Sequence, residues 1–417
     1  MENYTIVLIL LGAMVLLTVF AENLKVPVPI FLVIAGIAIG FIPGIPVMEI
    51  GSEMVFLLFL PPLLYDAAFK INPKEFRANF AIISRLAFSL VFITTLGIAA
   101  TAYFLIPGMN WPSAFILGAI LAPTDAVSAI NITKGMNLSS TANTILEGES
   151  LINDASALVA FKFALAALGG ATFVLWQASL SFVILLAGGF LVGFMTAKLL
   201  QLLLVYVRKN NIAVLSLILL SPFVTYLIAE YFHTSGIIAV VTLALSISRL
   251  STTHFSDKWK KDSETIWDMI TFLLNGLIFI LIGLELPIVL KELPDSVLVS
   301  YTVYAFIITL IALLLRMITV FSHRKRLDKA FHSTHPRFAN RRIPESILLT
   351  LQDGIMISWS GMRGIISLAL AIGLPSVMAN GNAFLLKSDI IYITTAVVLF
   401  TIIGQGVLLP YLSRLTR

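Results

Sequence analysis

The sequence predicts an all-α polytopic membrane protein of about thirteen transmembrane helices, arranged as two inverted six-helix repeats with two broken helices. Three observations predict it. Hydrophobic residues make up 59% of the 417 positions, and mean hydropathy is +1.00. Charged residues make up 12%, about half the share of an average soluble domain. Apolar stretches close to the ~20 residues that cross a hydrocarbon core recur along the whole chain. A soluble chain this apolar would leave much of its surface unfavourably in water, so ordinary soluble, disordered and disulfide-built classes are excluded. Cysteine is absent, which removes disulfides and thiolate metal sites.

The apolar stretches fall at 3–20, 27–43, 52–69, 78–106, 112–132, 142–168, 172–207, 211–231, 235–249, 264–290, 296–321, 351–374 and 388–413. The first follows Met1-Glu2-Asn3, with no basic region before it and no small-residue cleavage site after it, so it reads as a retained span. The stretch 172–207 suits one tilted helix or two shorter segments.

Charge fixes the orientation. With the N-terminus outside, the cytoplasmic connections hold twenty basic residues, among them Lys25, Lys70, Lys134, Arg208, Lys258, Arg326, Arg337 and Arg417, and the outer ones hold only Lys291 and Lys387. That asymmetry follows the positive-inside rule and puts the C-terminus in the cytoplasm. The net charge of +5 has the same origin, so no nucleic-acid partner is expected. The basic connection 322–350 contains His323, His332 and His335; it reads as a solvated linker against anionic lipid headgroups, with a metal site as the alternative.

Charges at membrane depth are costly, about 2.5–3.5 kcal/mol each on insertion scales, and so mark function. The acids are Asp66, Asp125, Glu149, Asp154 and, near a helix end, Glu285. The bases are Arg85, Lys162, Lys198, Arg316 and Arg363; of these Lys198, Arg316, Arg85 and Lys162 read as snorkelling toward a membrane face. The densest polar run is Glu147-Gly148-Glu149-Ser150-Leu151-Ile152-Asn153-Asp154 in the sixth span. Ser150 and Asp154 share one helical face, Glu149 and Asn153 the adjacent one. Hydroxyl, amide and carboxylate oxygens within one turn suit a hard cation.

Two spans carry breaks. Pro123 interrupts the fifth within Leu121-Ala122-Pro123-Thr124-Asp125, and Gly361 and Gly364 loosen the twelfth within Ser358-Trp359-Ser360-Gly361-Met362-Arg363-Gly364. Each is the fifth span of its half. This places a first repeat at 1–170, a linker helix at 171–209 and a second, inverted repeat at 210–417. Arg363 needs a buried partner, and Glu149 is the best placed; the pair would pin the sixth span to the twelfth. Asp154 is then left as a carboxylate that holds a proton or a cation but hardly both, which is the logic of antiport.

At these residues the chain strongly resembles the sodium/proton exchangers of the cation:proton antiporter superfamily, in the branch of the bacterial NhaP proteins and the animal sodium/hydrogen exchangers. Phe59-Leu60-Pro61-Pro62-Leu63-Leu64-Tyr65-Asp66, Ala122-Pro123-Thr124-Asp125, Gly148 to Asp154, Gly361-Met362-Arg363-Gly364 and Asn275 to Leu284 carry the resemblance. It implies an NhaA/NhaP-like antiporter fold in which the broken helices cross. A transport core, approximately 78–170 and 296–413, would rock against a dimerisation bundle made of the remaining helices. It implies that Asp154 carries the ion or proton, that Ser150, Thr124 and Asp66 are further ligands, that Asn153 and Asp125 orient the site, and that Glu149 and Arg363 form a structural pair. Asn153 in place of a second aspartate implies electroneutral one-for-one exchange, and an amide indeed cannot titrate.

The expected partners are therefore sodium or lithium and a proton, membrane lipid and a second copy of the chain, with no cofactor, in the cell membrane. A potassium/proton antiporter of the same family is the alternative, and a cation channel a remote one. No metalloprotease helix or serine-hydrolase elbow is present, so no enzyme is expected. Two departures stand out: Ala126 follows Asp125 where relatives usually carry proline, and Asp66 replaces a longer glutamate. The long regulatory tail of animal exchangers is missing from the sequence, so no calcium-binding or kinase-controlled tail is expected.

Overall fold

The computed structural model describes residues 2–24, 26–42, 57–133, 139–169, 175–254, 257–331, 349–375, 377–378 and 383–415. Lys25, Lys134, Arg337, Arg341, Arg342 and Arg417, together with His332 and His335 of the alternative metal site, lie outside the described residues. Among the described residues the chain is helical, with one isolated bridge between Val377 and Ala383 in place of any strand. Each apolar stretch corresponds to a helix or to a broken pair of helices. Among the described residues seven helices are long and apolar enough to cross a bilayer on their own.

Local chemistry sets the helix ends. Asn110 caps helix Trp111–Leu121 by accepting the Ser113 N–H, with Pro112 in the first turn, where its missing donor costs nothing. Ser139 caps helix Ser140–Leu168 through the Ala142 N–H. Thr350 and Asp353 bond reciprocally as a capping box for helix Leu351–Trp359. The stretch with two readings is one continuous helix, Leu175–Val207, whose 33 residues reach about 50 Å. No proline interrupts it, so nothing forces a second segment.

Contacts divide the chain into two compact units. The first comprises Met1–Val15, Met48–Pro73 and Ala171–Ile278. Within it, Gly188, Gly189 and Gly193 let helix Leu175–Val207 lie directly on Thr234, Ser235 and Ala239 at the start of helix Gly236–His254. Apolar side chains such as Val183, Phe190 and Leu202 face outward from the same helix, as lipid contact requires.

The second unit comprises Leu16–Val47, Lys74–Gly170 and Phe279–Arg417. Within it Gly36 lies against the Ile280 carbonyl, and Gly283 against the Val33 carbonyl and, at 2.7 Å from its Cβ position, the Ile37 nitrogen. Small residues at such crossings let backbones approach in a membrane. Ile83, Leu86, Ile145, Leu146, Val320 and Ile357 form an apolar cluster between four helical segments of this unit.

Gly283→Leu should therefore separate helices Val28–Gly40 and Asp257–Glu292. The expected cost is about 1–3 kcal/mol, read as a lowered midpoint of thermal unfolding in detergent. An unchanged midpoint would show that the glycine contact does not hold the two helices.

Candidate functional site

The site is built where two helices stop. Helix Trp111–Leu121 ends before Pro123, and the chain becomes helical again at Ala126–Thr133. Helix Leu351–Trp359 ends at Ser360, and Ile365–Ile372 resumes the path. The two breaks touch backbone to backbone: the Asp125 N–H donates to the Met362 carbonyl at 2.8 Å. Broken backbone is tolerable at membrane depth only when protein or a cavity satisfies it, and here each break helps to satisfy the other.

Asp125 serves both half-helices. Its carboxylate accepts the Ser128 N–H at 3.2 Å and the Ser128 hydroxyl, which caps Ala126–Thr133. The same carboxylate packs against Gly364, the N-cap of Ile365–Ile372. One negative charge thus lies at two positive helix ends, an arrangement worth up to about 2 kcal/mol per end when partly buried. A Cβ on Gly364 would occupy the carboxylate's place, so this glycine is required for close approach as well as for unwinding. Ala126 also gains a meaning. Its N–H, which a proline would lack, donates to Ser150 Oγ at 3.4 Å.

The sixth-span helix, Ser140–Leu168, supplies the rest. Ser150 Oγ donates to the Thr124 carbonyl at 3.0 Å. Thr124 Oγ1 donates to Glu149 Oε1 at 3.2 Å and accepts from Asn153 Nδ2 at 2.8 Å. Thr124 is therefore the junction between the fifth-span break and the polar turn. Asn153, expected to orient Asp154, holds Thr124 instead, and no bond between Asn153 and Asp154 is made among the described residues.

The expected ion pair has a different basic partner. Arg316, not Arg363, grips Glu149: Nη1 meets Oε1 and Nη2 meets Oε2 at 2.8 Å. Arg316 Nε also donates to the Ile357 carbonyl at 2.9 Å. Arg316 does not snorkel; it is 2% exposed. Gly361 makes the room, since a Cβ there would sit 2.5 Å from Arg316 Cδ. The signal was present in the sequence, because seven positions, about two helical turns, separate Arg316 from the next ionisable residue, His323. The Arg363 N–H donates to Thr401 Oγ1 at 3.0 Å in the π-helical segment Phe400–Gln405. Its guanidinium is also buried, with Nε and Nη1 lacking a hydrogen-bond partner among the described residues and with Glu149 and Arg316 within electrostatic reach. Lys198 and Lys162 are exposed, and Arg85 is half-buried beside His323.

Asp154 is 3% exposed. No hydrogen bond or ion pair engages it among the described residues, and the charges within electrostatic reach are the carboxylates of Asp125 and Glu149. The second unit thus brings together Thr124, Asp125, Glu149, Ser150, Asn153 and Asp154. Asp66 belongs to the first unit, where it is 2.7 Å from Lys70 Nζ, which reaches Asp268 at the same distance. No group of three or more His, Asp or Glu side chains fit for a metal occurs among the described residues.

Helical spans, two discontinuous segments joined at their breaks and a buried polar turn define a multi-pass membrane carrier fold. Residues 6–414 match the family described as sodium/hydrogen exchanger, transmembrane, and the chain belongs to that family. It is 34% identical to the sodium, potassium, lithium and rubidium/H(+) antiporter of Bacillus pumilus, with 99% of this chain aligned to 62% of that one. It therefore spans less than two thirds of that relative's length. It is 32% identical to the Na(+)/H(+) antiporter NhaH of Halobacillus aidingensis, over 98% of this chain and 97% of the relative. The solved sodium proton antiporter MjNhaP1 of Methanocaldococcus jannaschii has the same fold, with a TM-score of 0.72 at 20% identity, covering 100% of this chain and 99% of its own.

Removing Arg316 should strand Glu149. Arg316→Ala is expected to cost about 3–5 kcal/mol, seen as a large fall in thermal midpoint and folded yield. The double variant Glu149→Met with Arg316→Met should recover most of that loss. A double variant no more stable than Arg316→Ala would show that the pair's charge balance is not what matters.

Proposed function

We propose that the protein exchanges a monovalent cation, sodium first and lithium next, for a proton across the cell membrane, one for one, by alternating access at Asp154. The observation that carries this reading is the contrast between two buried carboxylates one and a half turns apart on one helix. Glu149 is neutralised by Arg316, whereas Asp154 has no basic partner among the described residues. A buried, unmatched carboxylate is stable only when it takes up a positive charge from elsewhere. A proton and a small cation both qualify, and they compete for the same oxygens.

Stoichiometry follows from the same count. Asn153 cannot titrate, so one carboxylate carries the exchangeable charge. A site loaded with a proton and a site loaded with a cation then differ by no charge, and the membrane potential does no net work on the cycle. The family membership supports transport, and the relatives' names support cation and proton as cargo. In this reading Ser150 and Thr124 add oxygen ligands. The reading further holds thirteen crossings, an outer N-terminus, a cytoplasmic C-terminus and a homodimer. A potassium/proton antiporter is the second reading, favoured by the Bacillus pumilus relative, whose name includes potassium and rubidium.

The test is purified protein in sealed liposomes loaded with a pH-sensitive dye. Sodium, lithium and potassium are added in turn, and the cation that dissipates the proton gradient at lowest concentration identifies the substrate. Asp154→Asn should abolish exchange with a normal elution profile; normal exchange in that variant would remove Asp154 from the mechanism. Rates should be unchanged when a potential is clamped across the liposomes, and a clear voltage dependence would contradict one-for-one exchange.

A further inference from the structure

Helix Asp295–Phe331 runs on beyond its apolar stretch, and near that end it meets the segment that follows helix Pro73–Ser84. The residues there are basic. Arg85 opens the π-helical segment Arg85–Leu90, and its Nη1 lies 3.2 Å from His323 Nδ1. A guanidinium can only donate, so Nδ1 accepts, and the imidazole is neutral in this pair. His323 is 7% exposed. Arg326, three residues on and therefore on the same helical face, is the second cation within electrostatic reach of His323. It is exposed to solvent.

Two guanidinium groups thus flank one neutral imidazole, and neither has a carboxylate partner among the described residues. Arg85 spends one donor on His323 and keeps the rest. Beneath these groups the packing is apolar, with Leu86, Val320 and Leu349 in one cluster. Unmatched arginines above an apolar floor, at the level where a span leaves the hydrocarbon, complement a phosphate group that carries acyl chains.

We propose that Arg85 and Arg326 form a binding site for the phosphate of an anionic phospholipid headgroup. The planar forks of two arginines suit the phosphate oxygens, and the acyl chains would lie along the apolar flank of helix Asp295–Phe331. The site is two helical turns from Arg316 on that helix, so an occupied headgroup would steady the segment that holds Glu149. The proposal does not depend on what is transported.

The test is thermal unfolding of the purified protein in detergent with added phosphatidylglycerol, phosphatidylcholine or inorganic phosphate. Phosphatidylglycerol should raise the Tm of the unaltered protein by about 3 °C or more, with little effect of the other two. Arg85→Gln with Arg326→Gln should lose that shift. Arg208→Gln with Lys209→Gln, an equal loss of exposed charge elsewhere, should keep it. If the Arg85 variant fails to assemble, Arg326→Gln alone should at least halve the shift. A full shift in the Arg326 variants, no shift in the unaltered protein, or an equal shift with inorganic phosphate would each overturn the proposal.

Discussion

A buried charge must be matched or neutralised, and that constraint organises the second unit. Glu149 sits at membrane depth with both oxygens held by Arg316 and a hydroxyl added by Thr124. The same arginine bonds the Ile357 carbonyl in the first half of a broken span. One pair thereby ties three segments of chain: the sixth-span helix, the long helix that carries Arg316, and helix Leu351–Trp359. The polar turn gains its fixed position from this anchor. Asp154, five residues further along the same helix, has no basic partner among the described residues.

The glycines of the second broken span have two distinct uses. Gly361 gives up its side-chain volume to Arg316, and Gly364 gives up its volume to the Asp125 carboxylate. Each glycine therefore admits a specific charged group to the break. A substitution at either position would displace a charge rather than merely stiffen the backbone.

The pattern of elements was legible because hydropathy and proline are local signals. The apolar stretches, the stop at Pro123 and the polar turn from Glu149 to Asp154 all follow from composition within about twenty residues. Partner choice was not legible in the same way. Arg316 and Arg363 are both lone arginines in apolar runs, and which one meets Glu149 depends on how two distant helices pack. Arg363 lies in a motif and Arg316 does not, which drew attention to the wrong guanidinium. Asn153 shows the same limit: spacing along one helix places it beside Asp154, but a hydroxyl from another segment is the stronger claim on its amide. The glycine contacts between helices Val28–Gly40 and Asp257–Glu292 join segments far apart in sequence, and hydropathy carries no trace of them.

Asp125 caps one half-helix, touches the N-cap glycine of another and donates its own N–H across the gap. Sliding either half-helix along its axis would tear the carboxylate away from one of two dipoles and rupture a main-chain bond as well. The crossing consequently behaves as a braced joint, stiff against shear. Any rearrangement of the two broken spans has to carry this joint whole.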